Sequence, residues 1–168
     1  IAGNEATALG ALRGGIRFAA AYPITPASEI LEWLAPSLPQ MGGALLQAED
    51  ELAAINMIIG ASYGGVPSLT ATAGPGLALM IEGIGLAVGA EVPVVVVDVM
   101  RGGPSTGLPT KTEASDLMMA MYGRHGEAPL PIVAASTPAH CFEMVIEACR
   151  IALAYRTPVF LLSDGYLA

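Results

Sequence analysis

Basic residues are scarce: seven Lys and Arg stand against fifteen Asp and Glu, a formal net charge of −8. No run of positive charge occurs anywhere, which excludes a phosphate-backbone binder and a protein drawn to an anionic membrane surface. Histidine is as rare, with only His125 and His140, neither near a ligand-spaced neighbour, so no metal site is implied for this chain alone. The two cysteines, Cys141 and Cys149, form neither a zinc spacing nor a disulfide framework. They are too few for an iron–sulfur cluster, and they fit a reduced, cytoplasmic setting.

Motifs are missing too, despite 20 glycines. "GPGLAL" has no third glycine of a dinucleotide turn, and "GGPSTGLPTK" has no Gly-Lys-Ser/Thr ending of a P-loop. No Gly-x-Ser-x-Gly nucleophile elbow occurs. "SDGYLA" carries Asp-Gly but nothing after it to complete a metal–diphosphate site. In the apolar stretch 77–100, Glu82, Glu91 and Pro93 leave no clean span of the roughly 20 residues a membrane helix needs. No basic leader with a hydrophobic segment and cleavage site is present. A chain opening on Ile1 and closing on "SDGYLA" reads as a segment of a longer protein.

What is abundant is aliphatic: 54% of residues are hydrophobic with only 5% aromatic, and the mean hydropathy is +0.60. Ala, Val, Ile, Leu and Met are the palette of buried parallel strands and closely packed helices, and 168 residues suffice for one domain. Short apolar runs predict strands at 18–22, 44–48, 68–73, 92–99, 130–135 and 158–163. "VVVV" is apolar on both faces, as in a strand covered by helices on each side. Helical patterns lie between them at 4–14, 26–35, 49–65, 74–91 and 137–156. Asn4 and Thr137 are candidate N-caps, and acidic residues open the third helix. The alternation predicts a three-layer α/β fold with a mainly parallel sheet of about six strands.

Sites in such sheets gather at the carboxyl ends of strands. Three stretches begin there: "YPITP" after the first strand, "EDE" after the second, and "RGGPSTGLPTKTE" after the fourth. The last belongs to an irregular stretch of about 100–116, and long loops in compact domains are commonly functional. The helices at 50–64 and 77–89 are nearly apolar all round. A lone sheet cannot cover them, so a partner surface is expected. Gly74, Gly76, Gly83, Gly85 and Gly89 suit close approach at such a joint.

The stretches 3–30, 47–65 and 70–117, together with "YGRHGE", resemble the α subunit of 2-oxoacid:ferredoxin oxidoreductases, nearest the 2-oxoglutarate synthase branch. The resemblance covers essentially residues 1–168 and matches the single domain that binds the pyrimidine ring of thiamine diphosphate. Ala27 and Ala114 depart from the family's usual serine and glutamine. The implied reaction is oxidative decarboxylation of a 2-oxo acid with coenzyme A, giving an acyl-CoA and carbon dioxide, with electrons passed through iron–sulfur clusters to ferredoxin. The diphosphate and its Mg2+ are expected on a β subunit and the [4Fe-4S] clusters on partner chains or other domains. The implied assembly is a pair of αβ units.

By that match Glu49 is the catalytic carboxyl that shares a proton with the pyrimidine ring nitrogen, in an apolar setting that favours its neutral form. Pro23, Ile24 and Thr25 form a rigid corner at the cofactor, with the Thr25 hydroxyl near the substrate; Thr25 as N-cap with Pro26 at the first helical position is the plain alternative. Arg101 suits the substrate carboxylate, against a structural ion pair with Asp98 or a neighbouring acid. Thr110 and Lys111 are candidates for a second carboxylate, against ordinary solvation. Tyr122, Arg124 and His125 fit the family pattern and receive no chemistry. Two other readings stay open: a non-catalytic α/β scaffold that kept the fold, and a transketolase-like thiamine enzyme component.

Overall fold

The computed structural model describes residues 1–168. Six strands, β1 (Phe18–Ala21), β2 (Ala44–Gln47), β3 (Ser68–Thr72), β4 (Val94–Met100), β5 (Ile132–Ala134) and β6 (Val159–Asp164), form one sheet in the order β2-β1-β3-β4-β6-β5. Every pair is parallel, so the expected "mainly parallel" sheet is wholly parallel. Six helices cover it: α1 (Gly3–Arg13), α2 (Ser28–Gln40), α3 (Glu51–Tyr63), α4 (Gly74–Gly89), α5 (Asp116–Tyr122) and α6 (Pro138–Tyr155).

The central strands explain the layering. Val95, Val97 and Val99 of β4 pack with α1, α2 and α6 residues such as Ala8, Ile30 and Val145. Val94 and Val96 face the other way, onto Ile55 and Ile58 of α3 and Leu77, Met80 and Ile84 of α4. A strand apolar on both faces is what two helical layers require. Three of the expected joint glycines are used inside this packing. A Cβ on Gly83 would meet Ile55, one on Gly76 would overlap Thr72 and Glu51, and one on Gly74 would overlap Asp116. Gly85 and Gly89 have nothing within 4 Å.

Four local expectations are corrected. Asn4 does not cap α1, which starts a residue earlier with Ala2 at its N-cap; Asn4 is buried inside the helix. The helix expected to end near Ala35 runs through Pro36 and Pro39 to Gln40. The prolines remove the amide donors for the Glu32 and Ala35 carbonyls, while the Ser37 and Gln40 side chains add bonds to the adjacent carbonyls of Trp33 and Pro36. Thr25 is not an N-cap: α2 starts at Ser28 after Ala27. Finally, α5 emerges from a stretch read as irregular. Thr137 does cap α6, its hydroxyl accepting from the His140 amide at 3.1 Å.

Candidate functional site

All six strands point one way, and β1 and β3 are neighbours whose crossovers leave in opposite directions, β1 to β2 and β3 to β4. This is the topological switch, and the crevice lies beyond the carboxyl ends of the strands. The β1–β2 register ends at Ala21 and Gln47, and the Ala48 amide still donates to Ala21 O at 2.9 Å. Continuing that register brings Pro23 and Glu49 out side by side.

The Pro23–Pro26 corner is held from three directions. The Ile24 carbonyl accepts from the Ala27 amide at 2.7 Å. The Thr25 carbonyl accepts from Arg101 Nη1 at 2.6 Å, and the Pro26 carbonyl from Asn4 Nδ2 at 2.7 Å. Asn4 also donates to Glu29 Oε2 at 3.1 Å. Three successive carbonyls are thus taken, one by the turn itself and two by α1 and the loop after β4, and the exposed Thr25 side chain is carried on a fixed backbone. Thr25 and Arg101, 76 positions apart, are brought together by this contact.

Arg101 follows β4 and is buried. Its other terminal nitrogen, Nη2, donates to Thr106 O at 2.6 Å, while Nε has no partner. The expected alternative, an ion pair with Asp98, is not formed: the chain's ion pairs are Arg150–Glu147 and Arg156–Glu91. The guanidinium instead ties the corner to the loop that follows it. That loop is knitted rather than open, with a Gly102–Leu108 bridge and the Gly102 amide donating to Lys111 O at 2.8 Å. Its later part lies near the corner, since a Cβ on Gly165 would sit 3.4 Å from Pro26 and 3.8 Å from Thr112. Thr110 and Lys111 are exposed there.

Glu49 is exposed and enters neither ion pair. The apolar surrounding expected for it is not supplied by this chain, because the flanking Gln47 and Asp50 are exposed as well. Asp50 has the plainer role: it caps α3, its Oδ1 accepting from the Ala53 amide at 2.7 Å. Glu51 is buried against Gly76 and Thr72 at the start of α4. Of the three acids, Glu49 alone is neither a helix cap nor buried, and it follows β2 at the carboxyl end of that strand.

Beside the loop lies a cavity of about 490 Å³ lined by Gly74, Arg101, Gly103, Thr106, Ser115 and Asp116 among others. One buried carboxyl that sequence reasoning missed, Asp116, stands at it, and a second, Asp98 of β4, is buried next to Asp116. Burial pushes the Asp98 carboxyl well above its ordinary value, and the neighbouring Asp116 pushes it further. Burial also raises Asp116, while the Arg101 and Gly74 amides, Asp98 and the Arg101 charge pull it back. The signal was available: an Asp that interrupts "VVVVDV" in a doubly covered strand has to find a polar partner. Arg124, given no chemistry from sequence, caps α5 from just past its C-terminus, donating to the Ala120 carbonyl, to Met121 O at 3.1 Å and to Ala128 O at 2.6 Å. Tyr122 and His125 are exposed beside it.

Residues 9–168 match the family model described as pyruvate flavodoxin/ferredoxin oxidoreductase, thiamine diphosphate-binding. The chain belongs to that family. Among solved structures, the 2-oxoglutarate:ferredoxin oxidoreductase from Magnetococcus marinus, with 2-oxoglutarate, coenzyme A and succinyl-CoA bound, superposes with a TM-score of 0.98 at 52% identity. The match covers 100% of this chain and 29% of that one. The 2-oxoglutarate oxidoreductase subunit KorA of Mycobacterium tuberculosis is 50% identical over 100% of this chain and 26% of its own length. The 2-oxoglutarate synthase subunit KorA of Archaeoglobus fulgidus is 48% identical over 98% of this chain and 47% of its own. The α subunit of 2-oxoacid:ferredoxin oxidoreductase 1 from Sulfurisphaera tokodaii is 46% identical over 99% of this chain and 28% of its own. The chain therefore spans about a quarter to a half of the length of these oxidoreductase subunits.

Proposed function

We propose that residues 1–168 are the pyrimidine-binding domain of a longer α subunit, working in a 2-oxoacid:ferredoxin oxidoreductase that favours 2-oxoglutarate. The observation that carries this reading is the near-identical backbone, at 52% identity, of an oxidoreductase holding 2-oxoglutarate, coenzyme A and succinyl-CoA. The reaction is oxidative decarboxylation of the 2-oxo acid with coenzyme A to acyl-CoA and carbon dioxide, electrons leaving through iron–sulfur clusters to ferredoxin.

The residues present fit one half of thiamine diphosphate. A free carboxylate beside a fixed proline corner suits a pyrimidine ring, whereas no group of three or more His, Cys, Asp or Glu side chains is arranged to hold a metal ion. In this proposal the diphosphate, Mg2+ and the dry wall beside Glu49 come from a β subunit, and two αβ units pair. The cofactor supplies a nucleophilic carbon for the keto group and an electron sink for decarboxylation. Glu49 Oε would hold the pyrimidine ring nitrogen by a shared proton once the cofactor is bound.

Pro23 and Ile24 seat the ring, and the Thr25 hydroxyl faces the reacting end. Arg101 places positive charge at the same edge, with no carboxylate in ion-pair contact to neutralise it, which suits the substrate carboxylate. Thr110 and Lys111 meet the second carboxylate of 2-oxoglutarate. No helix is long and apolar enough to cross a membrane, and both cysteines are free; a cytoplasmic setting fits.

The test is co-production of the full-length chain with its partner subunit without oxygen. Viologen reduction dependent on 2-oxoglutarate and coenzyme A is then followed, with pyruvate in parallel. Glu49→Gln should lower kcat by at least about 100-fold, the usual contribution of positioned acid–base catalysis. Full activity in that variant refutes the role of Glu49. An assembled complex with thiamine diphosphate bound that reduces no dye with any 2-oxo acid refutes the oxidoreductase reading and favours the scaffold or transketolase-like one.

A further inference from the structure

Asp98 lies on the face of β4 that carries Val94 and Val96, beneath α4 and α5, and is fully buried. Neither of its oxygens meets a donor, and Oδ2 of Asp116, the first residue of α5, is equally without one. Two ionised carboxylates placed together would repel and stay unbonded, at a severe penalty in a water-free interior. One proton between them removes both problems, turning a repulsion into an O–H···O⁻ hydrogen bond.

The surroundings say which group keeps the proton. Asp116 is approached by the amides of Arg101 and Gly74 and feels the Arg101 charge, all of which favour its ionised form. Its carboxylate lies directly against Gly74, where any Cβ would overlap it. Asp98 has none of this help. In the sheet it is flanked by Thr72 of β3 and Leu162 of β6. Asp116 of α5 is the titratable group acting on Asp98; Glu51 of α3 lies at Gly76, and Arg101 at the end of β4 acts on Asp116.

We propose that Asp98 and Asp116 form a positioning pair: Asp98 donates a shared proton to Asp116, and ionised Asp116 fixes Arg101 and the loop it fastens. The pair then carries one negative charge, held on Asp116 against the backbone amides of Arg101 and Gly74. Its consequence for the site runs through Arg101, whose Nη atoms hold Thr25 O and Thr106 O at 2.6 Å each. Deprotonation puts two charges where one is tolerated, and the loop and corner lose their common anchor. The catalytic part of this inference rests on the proposed function; the shared proton does not.

The sign of the pH dependence follows from linkage. The Asp98 carboxyl is raised above its ordinary 3.8, so the folded state holds a proton that the unfolded chain has released. Stability from the pair is complete below that value and is lost as pH climbs towards the raised one. Asp98→Asn keeps an N–H donor to Asp116 with nothing to titrate.

The experiment uses the full-length chain assembled with its partner subunit, as wild type and Asp98→Asn. Infrared titration should show, in the difference between wild type and variant, a protonated-carboxyl band that persists to neutral pH and belongs to Asp98. The wild-type thermal midpoint should fall relative to the variant's with each rise in pH. Viologen reduction should show an alkaline limb in kcat/KM, about tenfold per pH unit, that Asp98→Asn abolishes. Absence of the band in the wild type, or parallel midpoint curves in the two proteins, overturns the pair. If the complex reduces no dye with any 2-oxo acid, the functional reading fails, and the infrared and thermal results still decide the shared proton. Absence of any such band in the wild type overturns the pair whether or not the variant folds.

Discussion

A threonine hydroxyl at a strand end is useful only if its backbone stays still, and three bonds decide that here. Arg101, Asn4 and the Ala27 amide satisfy the carbonyls of Thr25, Pro26 and Ile24. Asn4 is the least obvious of them, 22 positions from Pro26 and 2% exposed within α1. Asn4→Ala removes the donor to Pro26 O and to Glu29 and leaves a carbonyl at the corner without a partner. Its expected cost is about 1–3 kcal/mol of stability, measured by denaturant unfolding. The same variant should raise KM for the 2-oxo acid as the corner loosens. A loss under about 0.5 kcal/mol with KM unmoved would show that the prolines hold the corner unaided.

At the scale of elements, the strands and five of the six helices were readable because their patterns are local. Apolar runs of four to seven residues and Thr137 before Pro138 carry their own explanation. The Pro36–Pro39 extension of α2 was not readable, since tertiary packing of Leu34 and Leu38 in the core overrides the breaker signal. Helix α5 escaped notice because seven residues are too few for periodicity to speak. The site divided the same way. Glu49, Thr25 and Arg101 are visible as strand-end residues, but the roles of Asn4, Asp98 and Asp116 depend on partners far away in the chain. Arg124 makes this concrete, for a helix so short depends on its cap. Arg124→Met frees the carbonyls of Ala120, Met121 and Ala128 and loses the contact with the Phe160 ring at 5.8 Å. Amide hydrogen exchange should accelerate across 116–128 by about tenfold or more while β4 stays protected. Uniform acceleration through β4 would instead mark Arg124 as part of the global core.

For the molecule as a whole, the question is what α3 and α4 face on their outer sides. Leu52 and Met57 of α3 and Leu79 and Leu86 of α4 are between 37% and 51% exposed, an apolar face no other part of the chain covers. In a finished assembly such a face calls for a neighbour. The glycines sharpen the point, because Gly74, Gly76 and Gly83 are consumed by internal packing while Gly85 meets nothing within 4 Å. An open, mid-helix glycine weakens a helix by roughly 0.5–1 kcal/mol relative to alanine, so on stability grounds alone Gly85→Ala should improve the protein. If another subunit packs closely on this face, the same methyl should weaken assembly. The expected outcome is therefore split: the full-length subunit gains about 0.5–1 kcal/mol in denaturant unfolding, while sedimentation shows weaker association with the partner. Leu86→Glu, which adds charge to the same face, should impair association further without lowering the subunit's own stability appreciably. A stability gain with association untouched in both variants would free the α4 face from the joint and leave the β2 side of the site, around Glu49, as the surface where the partner must close.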